Sequence, residues 1–306
     1  MNKVLKSKWI LICLFITGCE DLTFFEKEQE LVHYYNNDFS SETEAKDVYT
    51  VLTYNIRMGF TKDQNPFEAN TVGGSPEHLS QLVEAINSIN PDFVALQDVA
   101  RNVSHTLIED QVGYLARELK MNYAYGDYSE VNTFNGIFIR GTRGHAFLTK
   151  YKIKKIENIE ILNQSRYDSR TCLTVDIEIN HDKSISFLAT HFRGHQEVKK
   201  LQAERILDIT SFQENPIIIL GDFNATIRSP HLTKLVNLFP SVLSLAPFLQ
   251  RFNVQYTGTI GTPGNASVID LIFMDSANFK VIDIGIMEEQ YWNLSDHRFL
   301  FTSFSF

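Results

Sequence analysis

Four short stretches of this chain combine apolar runs with residues that can do chemistry. They are Thr53-Tyr54-Asn55-Ile56-Arg57, Pro91 through Leu96-Gln97-Asp98, Ile217 through Gly221-Asp222-Phe223-Asn224, and the pair Val268-Ile269-Asp270-Leu271-Ile272-Phe273 with Leu294-Ser295-Asp296-His297. Polar residues at the ends of buried strands are where α/β enzymes concentrate their sites, because the strands hold them rigidly. An oxygen-rich set without paired cysteines suits a hard cation such as Mg²⁺, Mn²⁺ or Ca²⁺ rather than structural zinc. A carboxylate beside a water supplies a base, and a histidine–carboxylate pair supplies a tunable proton donor. Taken singly, each stretch says little: a lone Gly-Asp-Phe-Asn is usually a turn, and a lone Ser-Asp-His can cap a helix.

The elements that must position these residues can be read from hydrophobic period. Strand-like runs rich in Val, Ile, Phe and Tyr fall at 49–56, 92–96, 136–139, 146–148, 171–179, 184–190, 216–220, 268–274, 280–286 and 299–304. Leu79, Leu82, Val83 and Ile86 recur at helical spacing behind Ser75-Pro76, a cap and first-turn pair. Val112, Leu115, Ala116 and Leu119 form a second stripe, and Leu232, Leu235, Val236 and Phe239 a third. Residues 195–212 read as a longer, polar-rich helix. Residues 48–306 show no repeat or linker, so one α/β domain of mixed sheets is expected.

In order and context the four stretches resemble the endonuclease/exonuclease/phosphatase superfamily. These divalent-metal phosphoesterases include pancreatic deoxyribonuclease, apurinic endonucleases, neutral sphingomyelinases and inositol-phosphate phosphatases. The resemblance covers about residues 48–306 and includes the Thr190-His191 strand end. It implies an α/β (α+β) fold of the deoxyribonuclease kind: a four-layered sandwich, two mixed β-sheets packed together with helices outside. It implies that Asn55 and Asp98 form a metal site for Mg²⁺ (or Mn²⁺ or Ca²⁺), with Asp296 a further contact. Asp222 matches the aspartate that orients or deprotonates the attacking water, and Asn224 the asparagine that hydrogen-bonds a phosphate oxygen or that water. His297 matches the histidine beside the scissile phosphate, and Asp270 the carboxylate that fixes its tautomer. His191 matches the second histidine, and Arg170 stands where relatives place an arginine near the phosphate. Such a set makes physical sense, because an anionic phosphodiester repels hydroxide until a cation and protonated donors neutralise it.

Two positions depart from the family pattern. The second strand end ordinarily reads Leu-Gln-Glu, and here it is Leu96-Gln97-Asp98, one methylene shorter with the charge kept. His145 replaces an asparagine common in relatives and reads as a polar strand-end residue.

The N-terminus carries Lys3, Lys6 and Lys8, then an unbroken apolar run from Trp9 to Ile16. Eight residues cannot cross a bilayer core, which needs about 20. Residues 1–18 therefore read as a signal peptide, and Ile16-Thr17-Gly18-Cys19 resembles a bacterial lipobox with Cys19 as the lipidated residue. An ordinary signal peptide with an incidental cysteine is the alternative. The formal charge of the 306 residues is −9; without residues 1–18, which hold three lysines and no acids, it is −12. Residues 19–47 hold nine acids and two lysines and read as an acidic tether, with docking of 31–35 on the domain as the alternative. Of the three cysteines, Cys172 is then the remaining thiol, in an alternating strand-like run that places no base beside it.

On this reading the protein is a monomer in the bacterial cell envelope, held at a membrane by its N-terminal lipid. Its expected activity is metal-assisted hydrolysis of a phosphodiester or phosphomonoester. The tract from Ala100 to Met121 resembles the sphingomyelinase-like and glycolipid-anchor-remodelling branches, and no basic run with interleaved aromatics tracks a nucleic-acid backbone. A lipid headgroup or small phosphodiester is therefore favoured over nucleic acid. An extracytoplasmic nuclease is the enzymatic alternative, and a catalytically weak surface binding protein the alternative of another class.

Overall fold

Apolar residues on both faces of the central strands require cover on both sides, and that requirement sets the layers. The computed structural model describes residues 33–39, 44–66, 68, 71–131, 141–163, 169–245, 258–262 and 265–306. Its strands are β1 (His33–Asn36), β2 (Tyr49–Asn55), β3 (Phe93–Arg101), β4 (Asn122–Glu130), β5 (Thr142–Thr149), β6 (Lys152–Leu162), β7 (Arg170–Glu178), β8 (Ser184–His191), β9 (Ile217–Asp222), β10 (Asp270–Met274), β11 (Lys280–Ile286) and β12 (Leu300–Ser305). Its helices are α1 (Pro76–Asn87), α2 (Gln111–Leu119), α3 (Gln196–Thr210), α4 (Thr233–Leu238) and the single turn α5 (Val242–Leu245).

The strands form two mixed sheets, ordered β1-β4-β5-β3-β2-β12-β11 and β10-β9-β8-β7-β6. Along β2, Tyr49 and Val51 join the core between the sheets, while Leu52 and Tyr54 join the one shared with α1 and α2. β3 alternates likewise, Phe93 and Ala95 against Val94 and Leu96. Phe93 and Phe147 of the first sheet meet Phe187 of the second, with ring centroids 4.6 and 4.7 Å away. Burying each such ring stabilises the sandwich by about 2 kcal/mol. On the far side, Ala203 and Ile206 of α3 and Leu235 of α4 close the core. The architecture is the four-layered sandwich expected.

Each sheet has a parallel pair at its heart, β2 with β3 and β8 with β9. Asn55 ends β2, and His191 and Asp222 end β8 and β9. The helices begin as their sequence dictates. Ser75 caps α1 by accepting a hydrogen bond from the His78 amide at 3.2 Å, with Pro76 in the first turn, and Asp110 caps α2 through the Gly113 amide at 3.1 Å.

Three strands escaped the sequence reading. β4 carries Gly126 and the buried polar residues Asp127 and Ser129, which blur its alternation. β6 carries Lys152, Lys154, Lys155, Glu157 and Glu160, as an edge strand with irregular register does. β1 falls inside the stretch read as tether, so the domain reaches upstream of residue 48. Tyr34 packs against Tyr123 and Tyr125 (centroids 6.1 and 5.5 Å), and the Asn37 side chain donates to the Ile153 carbonyl and accepts its amide. The expected strand at 136–139 lies outside the described residues, as do residues 1–32 with Cys19. Among the described residues no helix is long and apolar enough to cross a membrane.

Candidate active site

Sheet register assembles a row that no local pattern predicts. β8 pairs parallel with β9 and sets His191 beside Asp222; β10 pairs antiparallel and sets Asp270 on its other side. Gly221 permits this approach: its φ is +149°, and a Cβ there would lie 1.9 Å from the Thr190 carbonyl oxygen. Asp222 is buried. Its Oδ2 accepts the Asn55 amide at 3.1 Å and lies 3.3 Å from His191 Nε2 and 3.6 Å from His297 Nε2, while Oδ1 accepts the Asn224 backbone amide at 2.8 Å.

His297 arrives from the far end of the chain. The Ser295 hydroxyl donates to the Asn55 carbonyl at 2.8 Å and accepts the His297 amide at 3.2 Å, which ties the terminal motif to the end of β2. His297 Nδ1 is 2.9 Å from Asp270 Oδ2. Asp270 is in turn held where the Thr259 hydroxyl accepts the Asp270 and Ile269 amides at 3.2 and 3.0 Å.

The two histidines that flank Asp222 have opposite electrostatics. Burial disfavours a charge on His297, but Asp270 first and Asp222 next more than offset it and push its pKa up to about 10. Burial dominates at His191 and pushes it down to about 4, against the pull of Asp222 and Asp98. At neutral pH the row therefore holds one charged and one neutral imidazole. Burial also raises Asp222, opposed by His297 and His191, so its carboxylate is a stronger base than an exposed one.

Asp98 owes its aim to a β-bulge. The β3–β5 register shifts between Leu96 and Val99, and Asp98 adopts φ +51°. Its Oδ1 accepts the Tyr128 hydroxyl and lies 3.4 Å from Arg143 Nη1 and 3.8 Å from His191 Nδ1. Burial opposes its ionisation, yet Arg143, followed by His191 and Arg170, holds it well below the usual carboxylate range. Arg170 is buried, donates to the Ser169 carbonyl at 2.7 Å, and stacks on the Tyr128 ring 4.7 Å from its centroid. Asp296 is 3.4 Å from Arg57 Nε, with its side chain 42% exposed.

Asn55, Asp98, Arg170, His191, Asp222, Asn224, Asp296 and His297 line one cleft of about 440 Å³. Asp270 stands behind His297, as a residue that orients it must. Sequence reasoning missed Arg57, Arg143, Arg193 and Lys199 of the cleft wall and the supporting Tyr128. Arg143 begins its approach in Gly141-Thr-Arg-Gly144, beside the strand residues already quoted, which was the available signal.

His145 does not line the cleft. It is fully buried behind Tyr128, with Nε2 3.1 Å from the Thr171 carbonyl, and burial pushes its pKa down to about 3. Above pH about 6.5 it is neutral in both folded and unfolded chains. Below that only the unfolded chain takes up the proton, so stability falls with pH until about pH 3. His145→Asn is expected to shrink the difference in unfolding free energy between pH 7 and pH 4.5 by about 2 kcal/mol, measured by urea denaturation.

Oxygen donors at the cleft fit a hard divalent cation. Among the described residues, Asn55 Oδ1, Asp98 and Asp296 present an amide and two carboxylates with no thiol in the cleft lining, and the buried Asp270 Oδ1 has no hydrogen-bond partner. Asp222, Asp270 and His297 also bring ligand atoms within 4.8 Å of one another. The Asp270–His297 hydrogen bond already commits two of these three to one another, which favours the first set for the cation. Cys172, in β7, is buried, and burial raises its thiol pKa, so it takes no part.

A carboxylate, two imidazoles and a basic wall thus meet in one cleft of a deoxyribonuclease-like sandwich, the groups that phosphoester hydrolysis calls for. The sequence profile of the endonuclease/exonuclease/phosphatase family matches residues 52–297, and the chain belongs to that family. It is 24% identical over 187 residues to an uncharacterised protein of Escherichia coli strain K12, YbhP, a match covering 58% of this chain and 66% of that one. Its fold is that of an endonuclease/exonuclease/phosphatase from Beutenbergia cavernae (TM-score 0.67, 17% identity, 85% of this chain and 72% of that one). The human nocturnin catalytic domain with bound sulfate is similar too (TM-score 0.64, 18% identity, 88% and 97%).

Proposed function

We propose that this protein is a divalent-metal-dependent phosphoesterase that hydrolyses a phosphodiester or phosphomonoester of a lipid headgroup or small molecule. The observation that carries this reading is the row His191–Asp222–His297, one carboxylate between a neutral and a charged imidazole. Asp222 accepts the proton of the attacking water. His297, held charged by Asp270, donates to the oxygen on which charge develops, Arg170 holds phosphate oxygens, and the Asn224 amide oxygen accepts from the attacking water. Asn55, Asp98 and Asp296 would hold the cation, which neutralises phosphate charge as a Lewis acid.

The lipid preference is supported by the tract 100–121 and by cations gathered in the cleft rather than along a track. The lipobox-like Cys19 supports action at a membrane surface of the cell envelope. Hydrolysis of a chromogenic phosphodiester is expected with Mg²⁺ or Mn²⁺ and to disappear with EDTA. Activity that survives EDTA sinks the metal-dependent reading, and none with any metal favours a surface binding protein. A panel of sphingomyelin, phosphatidylinositol and plasmid DNA then decides the substrate, with preferential DNA cleavage favouring the nuclease.

A further inference from the structure

Asn224 sits on backbone in the left-handed region, φ +48°, and its side chain needs bracing if it is to present its amide oxygen to the attacking water. That brace can be traced atom by atom. Asn224 Nδ2 donates to the Phe192 carbonyl at 2.9 Å, which fixes which end of the amide is the NH₂ group. The same Nδ2 lies 3.2 Å from His191 Nε2. An NH₂ group donates and cannot accept, so Nε2 is the accepting nitrogen.

An imidazole whose Nε2 accepts has no proton there and carries its one proton on Nδ1. Nδ1 is 3.3 Å from the Tyr128 hydroxyl oxygen. Tyr128 has one proton to give, and the structure directs it to Asp98 Oδ1, so the phenolic oxygen is free to accept the Nδ1–H. Every bond in the chain then runs in one direction, from Asn224 through His191 and Tyr128 to the Asp98 carboxylate. Asp222 Oδ2 accepts the Asn55 amide and also lies 3.3 Å from Nε2, where the opposite tautomer would direct its proton.

We infer that Tyr128 is a positioning residue: anchored on Asp98, it fixes His191 in the Nδ1-protonated tautomer, so that Nε2 holds the Asn224 NH₂ group and leaves the amide oxygen to accept from the attacking water. The two histidines thus divide the work. His297 bears the mobile proton, and His191 keeps its own while orienting a neighbour. Aspartate at position 98 meets the tyrosine hydroxyl and Arg143 together, which ties the departure from glutamate to the same chain of hydrogen bonds.

Nitrogen-15 spectra of the full chain at neutral pH test this, with the His191 signals assigned by their loss in His191→Gln. A protonated Nδ1 and an unprotonated Nε2 are expected. Tyr128→Phe is expected to mix the tautomers and to lower kcat about tenfold while KM stays within about twofold, the loss of one oriented hydrogen bond. A proton on Nε2 in the unsubstituted protein overturns the inference. So does a Tyr128→Phe protein with an unchanged His191 spectrum and unchanged kcat. If Tyr128→Phe does not fold, the unsubstituted spectrum decides alone. Because that spectrum is taken without substrate, it stands or falls independently of which phosphoester the enzyme turns over.

Discussion

Replacing His297 with asparagine is expected to lower kcat by on the order of 10²–10⁴-fold, the range over which a positioned acid–base group acts. Asparagine is the informative substitution because its amide can donate to Asp270 Oδ2 where Nδ1 does now, at 2.9 Å. The fold then keeps its partner for a buried carboxylate while the transferable proton is lost. His297→Ala removes both, and leaves Asp270 buried with neither oxygen hydrogen-bonded, since Oδ1 has no partner already. An uncompensated buried carboxylate costs about 3–5 kcal/mol, so the alanine variant confounds catalysis with stability. Turnover by the purified variants with a chromogenic phosphodiester, beside thermal melts, separates the two effects. An asparagine variant that keeps its turnover would show that His297 does not serve the reaction.

Gly221→Ala is expected to be the most damaging single methyl group among the described glycines. A Cβ at this position would approach the Thr190 carbonyl oxygen to 1.9 Å and its carbon to 2.9 Å. Those atoms belong to the adjacent parallel strand, so no flexible side chain can move aside. A backbone at φ +149° adds its own penalty for any residue with a Cβ. Strain and overpacking together are expected to cost at least about 3 kcal/mol. Relief can come only by parting β8 from β9, which carries His191 away from Asp222. Both the urea midpoint and activity should therefore fall. An alanine variant with full stability and activity would mean that the His191–Asp222 register is wrong.

The strand ends were legible because their signal is local. Gly221-Asp222-Phe223-Asn224 follows, and Ser295-Asp296-His297 precedes, an apolar run whose period is visible in one dimension, and the elements they imply occur within a few residues of where they were expected. The helix cap at Ser75 was legible for the same reason, since a cap bonds to an amide three residues on.

Tyr128 and Arg143 were not legible. Both belong to β4 and β5, where Gly126 and buried polar residues spoil the alternation, and their partner Asp98 is aimed at them by a bulge. β1 was read as tether because His33–Asn36 is apolar enough to be a strand only when Tyr123, Tyr125 and Ile153 offer it an edge.

Residue types and period thus determined by themselves that this chain is an α/β sandwich with oxygen-rich strand ends. Which protonation state each histidine holds was decided by tertiary structure alone. His191 ends β8 whereas His297 lies in the loop before β12, and neither segment by itself states what charge faces its imidazole. His297 faces two buried carboxylates and stays charged, whereas His191 faces Arg143 and Arg170 as well and loses its proton to burial. That contrast arises from Coulomb interactions in a low-dielectric interior between groups up to 93 residues apart along the chain, as Asp98 and His191 are.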